Sequence, residues 1–231
     1  RYFSPGGLAT SGSDYVEISV NGLSSLGAGF TVTRRGSLIR IVCTSDFDIR
    51  IEDGAGGSAM SVAKGTVSKL SDLPSKGFHN FLVKVGKTSA ESESDYYLRF
   101  DDPDDDGTGV WVETTGPAVN LGVDPATCPH RLVHESDDTF TFEQVPYAQR
   151  QVGTAETSPD PTFVGRNINA VVYLLDRLGF VSGEDIHFSA ARDLYRFYRA
   201  TNLSKLDDDP FAITAAADGV SILRHGLSVG G

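Results

Sequence analysis

The 231-residue chain has a composition typical of a loop-rich, β-dominated globular protein of one or two domains, with 39% hydrophobic residues, Gly 25 and Pro 10. Its net charge of −11 argues against a static nucleic-acid binder, because phosphate contacts need clustered Lys and Arg side chains. No apolar run approaches the roughly 20 residues that cross a membrane, so we expect no membrane segment.

Residues 1–116 are predicted to form one β-rich module that ends at Gly116. Alternating apolar residues and punctuating glycines predict strands at Tyr15–Val20, Phe30–Thr33, Leu38–Thr44, Phe47–Ile51, Phe81–Val85, Tyr96–Phe100 and Val110–Thr114. One helix is expected over Ser58–Leu70, where apolar residues recur every three or four positions. The module is therefore expected to be mainly β with a minor helical part.

Residues 117–231 are also predicted to be β structure, interrupted by a polar, Pro-containing surface loop at residues 144–161. Strands are expected at Arg131–His134, Thr139–Glu143, Ile168–Leu175, Leu178–Ser182, Ile186–Ser189 and Leu194–Tyr198. The last four are joined by tight turns and have the spacing of one β-propeller blade, at about residues 168–198. Pro210–Leu227 is then the start of a next blade.

One acidic loop has the ligand spacing of a calcium site. In the run Asp102-Pro103-Asp104-Asp105-Asp106-Gly107, with Glu113 at the twelfth position, hard oxygen ligands would come from Asp102, Asp104, Asp106 and Glu113. The segments on either side are predicted strands, not the helices of an EF-hand. A solvated turn is therefore the favoured interpretation, and a calcium-stabilised β domain is the alternative that stays open.

The other chemistry-bearing residues do not form a recognisable catalytic pattern. Cys128, His130 and His134 carry metal-ligating atoms, but at strand spacing the two histidines are about 13 Å apart, too far for one zinc ion. The sequence contains no G-x-S-x-G elbow, Walker loop or G-x-G-x-x-G run. We therefore expect no enzyme activity, metal or cofactor, and we expect Cys43 and Cys128 to be free thiols.

Several short sequence motifs occur in a characteristic order along the chain. In the C-terminal half they are Asp176-Arg177-Leu178-Gly179-Phe180, Tyr195-Arg196-Phe197-Tyr198 and Asp208-Asp209-Pro210; upstream they are Leu70–Pro74, Phe81–Val85, Asp95–Phe100 and Pro129–Val133. In this order they resemble the tail tubular protein B, or tail nozzle, family of short-tailed (podovirus) bacteriophages. Three departures are an Asp at position 176 in place of Asn, Cys128 in place of Met, and no Trp at Tyr147–Arg150.

The resemblance implies a structural protein of the virion tail, assembled in the bacterial cytoplasm. It implies a homo-oligomeric ring that docks an adaptor protein and tail fibres and that lets DNA pass without binding it specifically. It assigns residues 1–116 to a platform-like insertion and 117–231 to part of a β-propeller. It also assigns a structural role to the turn motif formed by Asp176, Arg177, Leu178, Gly179, Phe180, Asp208, Asp209 and Pro210.

Further expectations follow from the same resemblance. Because the chain begins at Arg1 and contains a single Met, we expect it to be an internal fragment of a longer protein. Arg34, Arg35 and Arg177 are candidates for salt bridges between subunits, although Arg177 can equally hold its own turn. The acidic residues would line the conduit and repel DNA, or they would serve solubility alone.

The alternative function is a host-surface carbohydrate-binding or carbohydrate-degrading tail module. Phe188, Tyr195, Phe197 and Tyr198 would then form a platform on which a sugar stacks. At strand spacing, however, these rings are better explained as core and as packing between blades.

Overall fold

The structure is a computed structural model, and it describes residues 2–3, 30–36, 38–43, 50–51, 62–86, 95–215 and 222–226. The chain divides into two compact units. The first unit comprises Arg1–Thr88 and Leu98–Val112, and the second comprises Ser89–Tyr97 and Glu113–Gly231. The predicted strand Tyr15–Val20 lies outside the described residues.

Short strands account for nearly all of the regular structure in the described residues. They are β1 (Tyr2–Phe3), β2 (Phe30–Arg35), β3 (Leu38–Cys43), β4 (Arg50–Ile51), β5 (Thr66–Val67), β6 (Leu82–Val85), β7 (Tyr96–Asp101), β8 (Val110–Thr114), β9 (His130–His134), β10 (Phe140–Gln144), β11 (Ala170–Leu174), β12 (Arg177–Ser182), β13 (Asp185–Phe188) and β14 (Phe211–Thr214). Within the described residues the helical structure is limited to 3-10 turns at Leu70–Asp72 and Pro125–Thr127. The mainly β prediction is confirmed, and most predicted strands agree with the observed ones to within a residue or two.

The first unit is organised around a hairpin and a sheet. β2 and β3 pair antiparallel, and a four-stranded sheet has the order β5-β6-β7-β8. Val83 and Phe100 are fully buried. The Trp111 ring lies 5.2 Å from the Phe100 ring, and its Nε1 donates to the Pro74 carbonyl oxygen at 2.9 Å. Alternation along β6 and β7 therefore reflects one buried face, as the sequence pattern predicts.

The second unit contains a hairpin of β9 and β10 and a four-stranded antiparallel meander in the order β11-β12-β13-β14. The main core cluster consists of Cys128, Phe163, Phe180 and Phe197. Phe180 comes from β12, whereas the other three come from irregular segments. The described sheets are separate, and none of them closes into a propeller.

The helix expected over Ser58–Leu70 is wrong for the part that the structure describes, residues 62–70. Thr66 and Val67 form the extended strand β5, which pairs parallel with β6. Gly65 weakens a helix, and the β-branched Thr66 and Val67 favour a strand. The three-to-four-residue spacing of apolar side chains does not outweigh these preferences here.

Two predictions in the second half of the chain are also wrong. Leu194–Tyr198 is not a strand, because its backbone is held in turns such as the bond from the Arg196 N–H to the Asp193 carbonyl oxygen. The fourth strand of the meander is β14 instead. Residues 144–161 are irregular as expected, yet Val145, Arg150 and Ser158 within them are buried, so the segment is not a surface loop.

No helix among the described residues is long and apolar enough to span a membrane.

Candidate functional site

The Arg177 side chain joins the two ends of the long connection between β13 and β14. Its Nη1 donates to the carbonyl oxygens of Ser189 at 2.8 Å and Asp209 at 2.7 Å, and its Nη2 donates to that of Asp207 at 2.6 Å. Ser189 directly follows β13, and Asp209 lies just before β14. The guanidinium is buried and lies 5.2 Å from the centroid of the Phe211 ring. The guanidinium is therefore bonded within the chain, and it holds together the two ends of the connection between β13 and β14.

The second part of the turn motif, Asp208-Asp209-Pro210, is organised by a buried carboxylate. Asp209 accepts hydrogen bonds from the backbone N–H of Leu206 at 3.0 Å and of Ala200 at 3.4 Å. Pro210 then leads directly into β14 with its φ fixed by the ring. Such carboxylate-to-backbone bonds are typical of tight turns, and they hold the chain where Arg177 grips it.

The rest of the motif packs into the sheet. Gly179 has no space for a side chain, because a Cβ built there would lie 2.6 Å from Val172 Cγ2 and 2.7 Å from Phe188 Cε1. Phe180 points to the other face, where it meets Phe163 edge to face at 4.7 Å and stacks with Phe197 at 5.5 Å between ring centroids. Glycine at this position thus leaves room for the Phe188 ring next to the strand.

The turn between β11 and β12 consists of two residues in the left-handed region. Leu175 has φ 49° and Asp176 has φ 57°. The Asp176 side chain accepts a bond from the Tyr173 hydroxyl at 3.0 Å, and its carbonyl accepts one from the Arg192 N–H at 2.8 Å. The predicted turn at Asp176-Arg177 therefore lies one residue earlier, and Arg177 already belongs to β12.

His187 is a buried histidine that the sequence did not single out. Its Nδ1 accepts a hydrogen bond from the Thr162 N–H at 3.1 Å, and its ring centroid lies 5.8 Å from that of Phe197. Burial lowers the pKa of His187 to about 4, and the carboxylate of Asp185 opposes that shift only in part. The imidazole is therefore neutral at physiological pH and ties the Pro161–Val164 segment to the sheet.

Arg150 is a second residue that sequence reasoning missed. Its Nε donates to the Ser158 carbonyl at 2.7 Å and its Nη2 to the Asp160 carboxylate at 2.7 Å, and its Nη1 donates to the Asn120 carbonyl. The guanidinium lies 4.6 Å from the centroid of the Tyr198 ring. No periodicity or spacing marks a lone arginine in a polar segment, and only the fold reveals that it organises residues 144–161.

The aromatic residues considered as a sugar platform are mostly core. Phe188, Phe197 and Tyr198 are buried, and Tyr195 is half-buried. Burial also raises the pKa of Tyr198, with the Asp160 carboxylate acting in the same direction. The crevice that Tyr195, Phe197 and Tyr198 help to line has no room for a water molecule. The core interpretation of the three buried rings is therefore confirmed.

The acidic loop of the first unit is a turn held by one carboxylate. Asp102 is fully buried and accepts bonds from the backbone N–H of Asp106 at 3.2 Å and of Gly107 at 2.7 Å. Asp104 and Asp106 are exposed. Arg35 forms an ion pair with Asp105. The loop thus satisfies Asp102 with its own backbone groups.

Glu113, the twelfth residue of the calcium-loop pattern, is engaged elsewhere. Its carboxylate accepts bonds from the Thr201 hydroxyl at 2.5 Å and the Asn202 N–H at 2.6 Å.

His130 Nδ1 lies 2.9 Å from the Cys128 carbonyl oxygen, and His134 pairs with Asp138. Among the described residues, no group of three or more His, Cys, Asp or Glu side chains is arranged to hold a metal ion.

The charge of the chain is unevenly distributed. Acidic residues far outnumber basic ones in the second unit, whereas the two are almost equal in the first. In the second unit the buried polar groups Arg150, Arg177 and Asp209 bond mainly to backbone groups, and many of its acidic side chains remain exposed. Chemically, the arrangement fixes the course of the backbone and leaves an acidic surface.

Comparison with known proteins identifies relatives of the chain. A family model described as bacteriophage nozzle protein matches residues 11–230. The chain is also similar to tail tubular protein gp12 of Escherichia phage T7, with 31% identity over 176 residues. That stretch covers 76% of this chain and 22% of the relative, so the chain spans about a fifth of the length of the curated relative that it matches.

Proposed function

The chain belongs to the bacteriophage nozzle protein family, and from that premise we propose that it is part of the oligomeric conduit through which DNA leaves a phage tail. The name of the T7 relative, tail tubular protein, supports a structural role in the virion tail rather than an enzymatic one. In this proposal the full-length protein forms a ring, docks an adaptor protein and tail fibres, and is assembled in the bacterial cytoplasm.

The uneven charge is the observation that supports a conduit best. The second unit carries nearly all of the net negative charge, and its backbone is stiffened by Arg150 and Arg177. DNA near such a wall is repelled and does not stick, which favours sliding over binding. A stiff acidic surface is what a passage for a polyanion needs.

We assign different parts of the conduit to different stretches of the chain. Residues 1–116 are proposed as a platform-like module that makes lateral contacts, and residues 117–231 as part of a β-propeller. The meander β11–β14 has four antiparallel strands, as a propeller blade has, and supports this assignment. The turn motif from Asp176 to Pro210 is proposed as a structural element of that blade.

The acidic loop is proposed as a structural turn that does not need calcium. Because Asp102 is satisfied by backbone N–H groups, a chelator should leave the thermal unfolding temperature unchanged. A lower unfolding temperature in EDTA that added Ca²⁺ restores would instead establish a calcium site.

Cryo-electron microscopy of the full-length protein with its adaptor tests the proposal. The expected result is a closed ring with an axial channel lined by acidic side chains of the second unit. A monomer that does not bind the adaptor but binds a soluble glycan would contradict the conduit proposal and favour a host-binding module.

A further inference from the structure

A short segment of the second unit, residues 161–164, is anchored just before and just after it. We call this segment the strap. Before the strap, the Asp160 carboxylate accepts a hydrogen bond from Arg150 Nη2 at 2.7 Å. After it, the Asn167 carbonyl oxygen accepts a bond from the Ser182 hydroxyl at 3.0 Å. The strap therefore runs between two fixed points and can open only in its middle.

The middle of the strap lies on His187 of the meander. The Thr162 N–H donates to His187 Nδ1 at 3.1 Å, and the buried Phe163 ring lies edge to face with the imidazole at 6.2 Å between centroids. Gly165 follows the strap with φ 72°, and a Cβ built there would meet nothing within 4 Å. The strap thus ends at a glycine that has space around it, and its backbone is bonded to the sheet through a titratable side chain.

Protonation changes what this side chain can do. A neutral imidazole accepts a hydrogen bond through one ring nitrogen, whereas an imidazolium carries a proton on both nitrogens and only donates. A protonated His187 would therefore direct a donor at the Thr162 N–H, and both donors would lack an acceptor under the strap. Buried donors without acceptors and buried charges both cost free energy. Lifting the strap removes these costs because water then reaches the ring.

The charges around the imidazole do not cancel this effect. Asp185, two residues earlier on β13, favours the charged form of His187, but its carboxylate also pairs with Arg166 at 3.1 Å. Among the described residues, the neighbouring elements place uncharged side chains beside the imidazole: Phe180 on β12, Ala212 on β14, Thr162 and Phe163 in the strap, and Phe197. The charged ring is therefore better accommodated in water than beneath the strap.

We propose that the strap is an acid-operated latch, in which protonation of His187 releases residues 161–164 from the meander while Asp160 and Asn167 stay anchored. The latch does not depend on the proposed conduit. Burial lowers the pKa of His187 to about 4, whereas a histidine in water titrates near ~6.5. The open strap binds the proton more tightly than the closed one, so the ratio of open to closed forms rises about tenfold per pH unit as the pH falls between these values.

Hydrogen–deuterium exchange of the full-length protein, read by mass spectrometry, tests the latch. Exchange is measured between about pH 6.5 and pH 4 and corrected for the intrinsic effect of pH on amide exchange. The protection of the peptide that contains the strap should fall about tenfold per pH unit, while the peptide that contains β12 keeps its protection. The His187→Asn variant places an amide oxygen near the position of Nδ1 and cannot be protonated in this range, so its strap should show no such fall.

Two results in the parent protein alone would overturn the latch. The first is an equal loss of protection in the strap and in β12, which would mean that the sheet opens as a whole. The second is a strap whose protection does not change with pH. A His187→Asn strap that follows the parent would also overturn the latch, because another group would then be the sensor; if this variant does not fold, the comparison of the two parent peptides decides.

Discussion

The β11–β14 meander and the β9–β10 hairpin solve the problem of burial in opposite ways. In the meander, Phe180 on one face and Phe188 on the other are both buried, and Arg177 is fully satisfied by carbonyl oxygens. In the hairpin, the Arg131 guanidinium lies against the Tyr195 ring while Phe140 and Phe142 face water. The meander buries an aromatic side chain on each face, whereas the described aromatic side chains of the hairpin strands are exposed.

The largest loss in the free energy of unfolding is expected on substitution of Arg177, and it tests whether this residue stabilises the meander. Replacing Arg177 with Ala leaves three carbonyl oxygens without their donor, and each buried unsatisfied group costs on the order of 1–3 kcal/mol. We expect the free energy of unfolding to fall by about 4 kcal/mol in urea denaturation. Arg177→Lys should recover only part of the loss, because an ammonium group lacks the planar fork.

Arg166→Ala is the control for that prediction. Arg166 is exposed and pairs with Asp185 at 3.1 Å, and surface pairs of this kind contribute about 0–1 kcal/mol. If Arg177→Ala is as mild as Arg166→Ala, the meander is not held by the guanidinium.

The second largest effect is expected from His187, because its protonation makes the free energy of unfolding depend on pH. Its pKa of about 4 in the folded chain lies below the value of ~6.5 expected after unfolding. Between these values the unfolded chain binds a proton that the folded chain does not, so the free energy of unfolding decreases as the pH falls. The loss should approach about 3 kcal/mol at pH 4, with none above pH ~6.5.

Denaturation curves of the parent and His187→Gln between pH 7 and 4 measure that contribution. The variant should lose the part of the slope that is due to His187. Equal slopes for the parent and His187→Gln would show that the buried imidazole is not the source.

A smaller effect is expected from Gly179→Ala. The new methyl group would displace Phe188 or Val172, and such overpacking costs roughly 1–3 kcal/mol. Gly65→Ala, where a Cβ meets nothing within 4 Å, should be close to neutral. Thermal unfolding of both variants decides the point: equal unfolding temperatures would mean that the strands move apart without strain.

The smallest effect is expected on the hairpin. Phe142→Ser in unassembled protein should change the free energy of unfolding by less than about 0.5 kcal/mol, because the ring is largely exposed. A large loss in the monomer would mean that Phe142 is part of the chain's own core, and the contrast between the two sheets would disappear.

Sequence patterns predicted the strands where alternation and pairing coincide, such as β8 and β9. They failed at Leu194–Tyr198, where Phe197 and Tyr198 are buried although the backbone turns, so alternation there reflects packing and not strand pairing. The turn motif was predicted from its resemblance to sequence motifs of the family. The part played by Arg177 in the motif was left open, and Arg150 was not predicted. Long-range hydrogen bonds to carbonyl oxygens do not produce a pattern in the spacing of residues along the sequence.

The bonds from Arg177 to the carbonyl oxygens of Ser189 and Asp209 also fix the two ends of the connection between β13 and β14. The connection is anchored at its base, and the entropy of closing a longer loop grows only slowly with its length. Its outer part, at Leu203 and Ser204, is exposed. This stretch should therefore accept an inserted peptide tag or epitope without disturbing β13 and β14, which makes it a natural place for labelling or displaying cargo on an assembled particle.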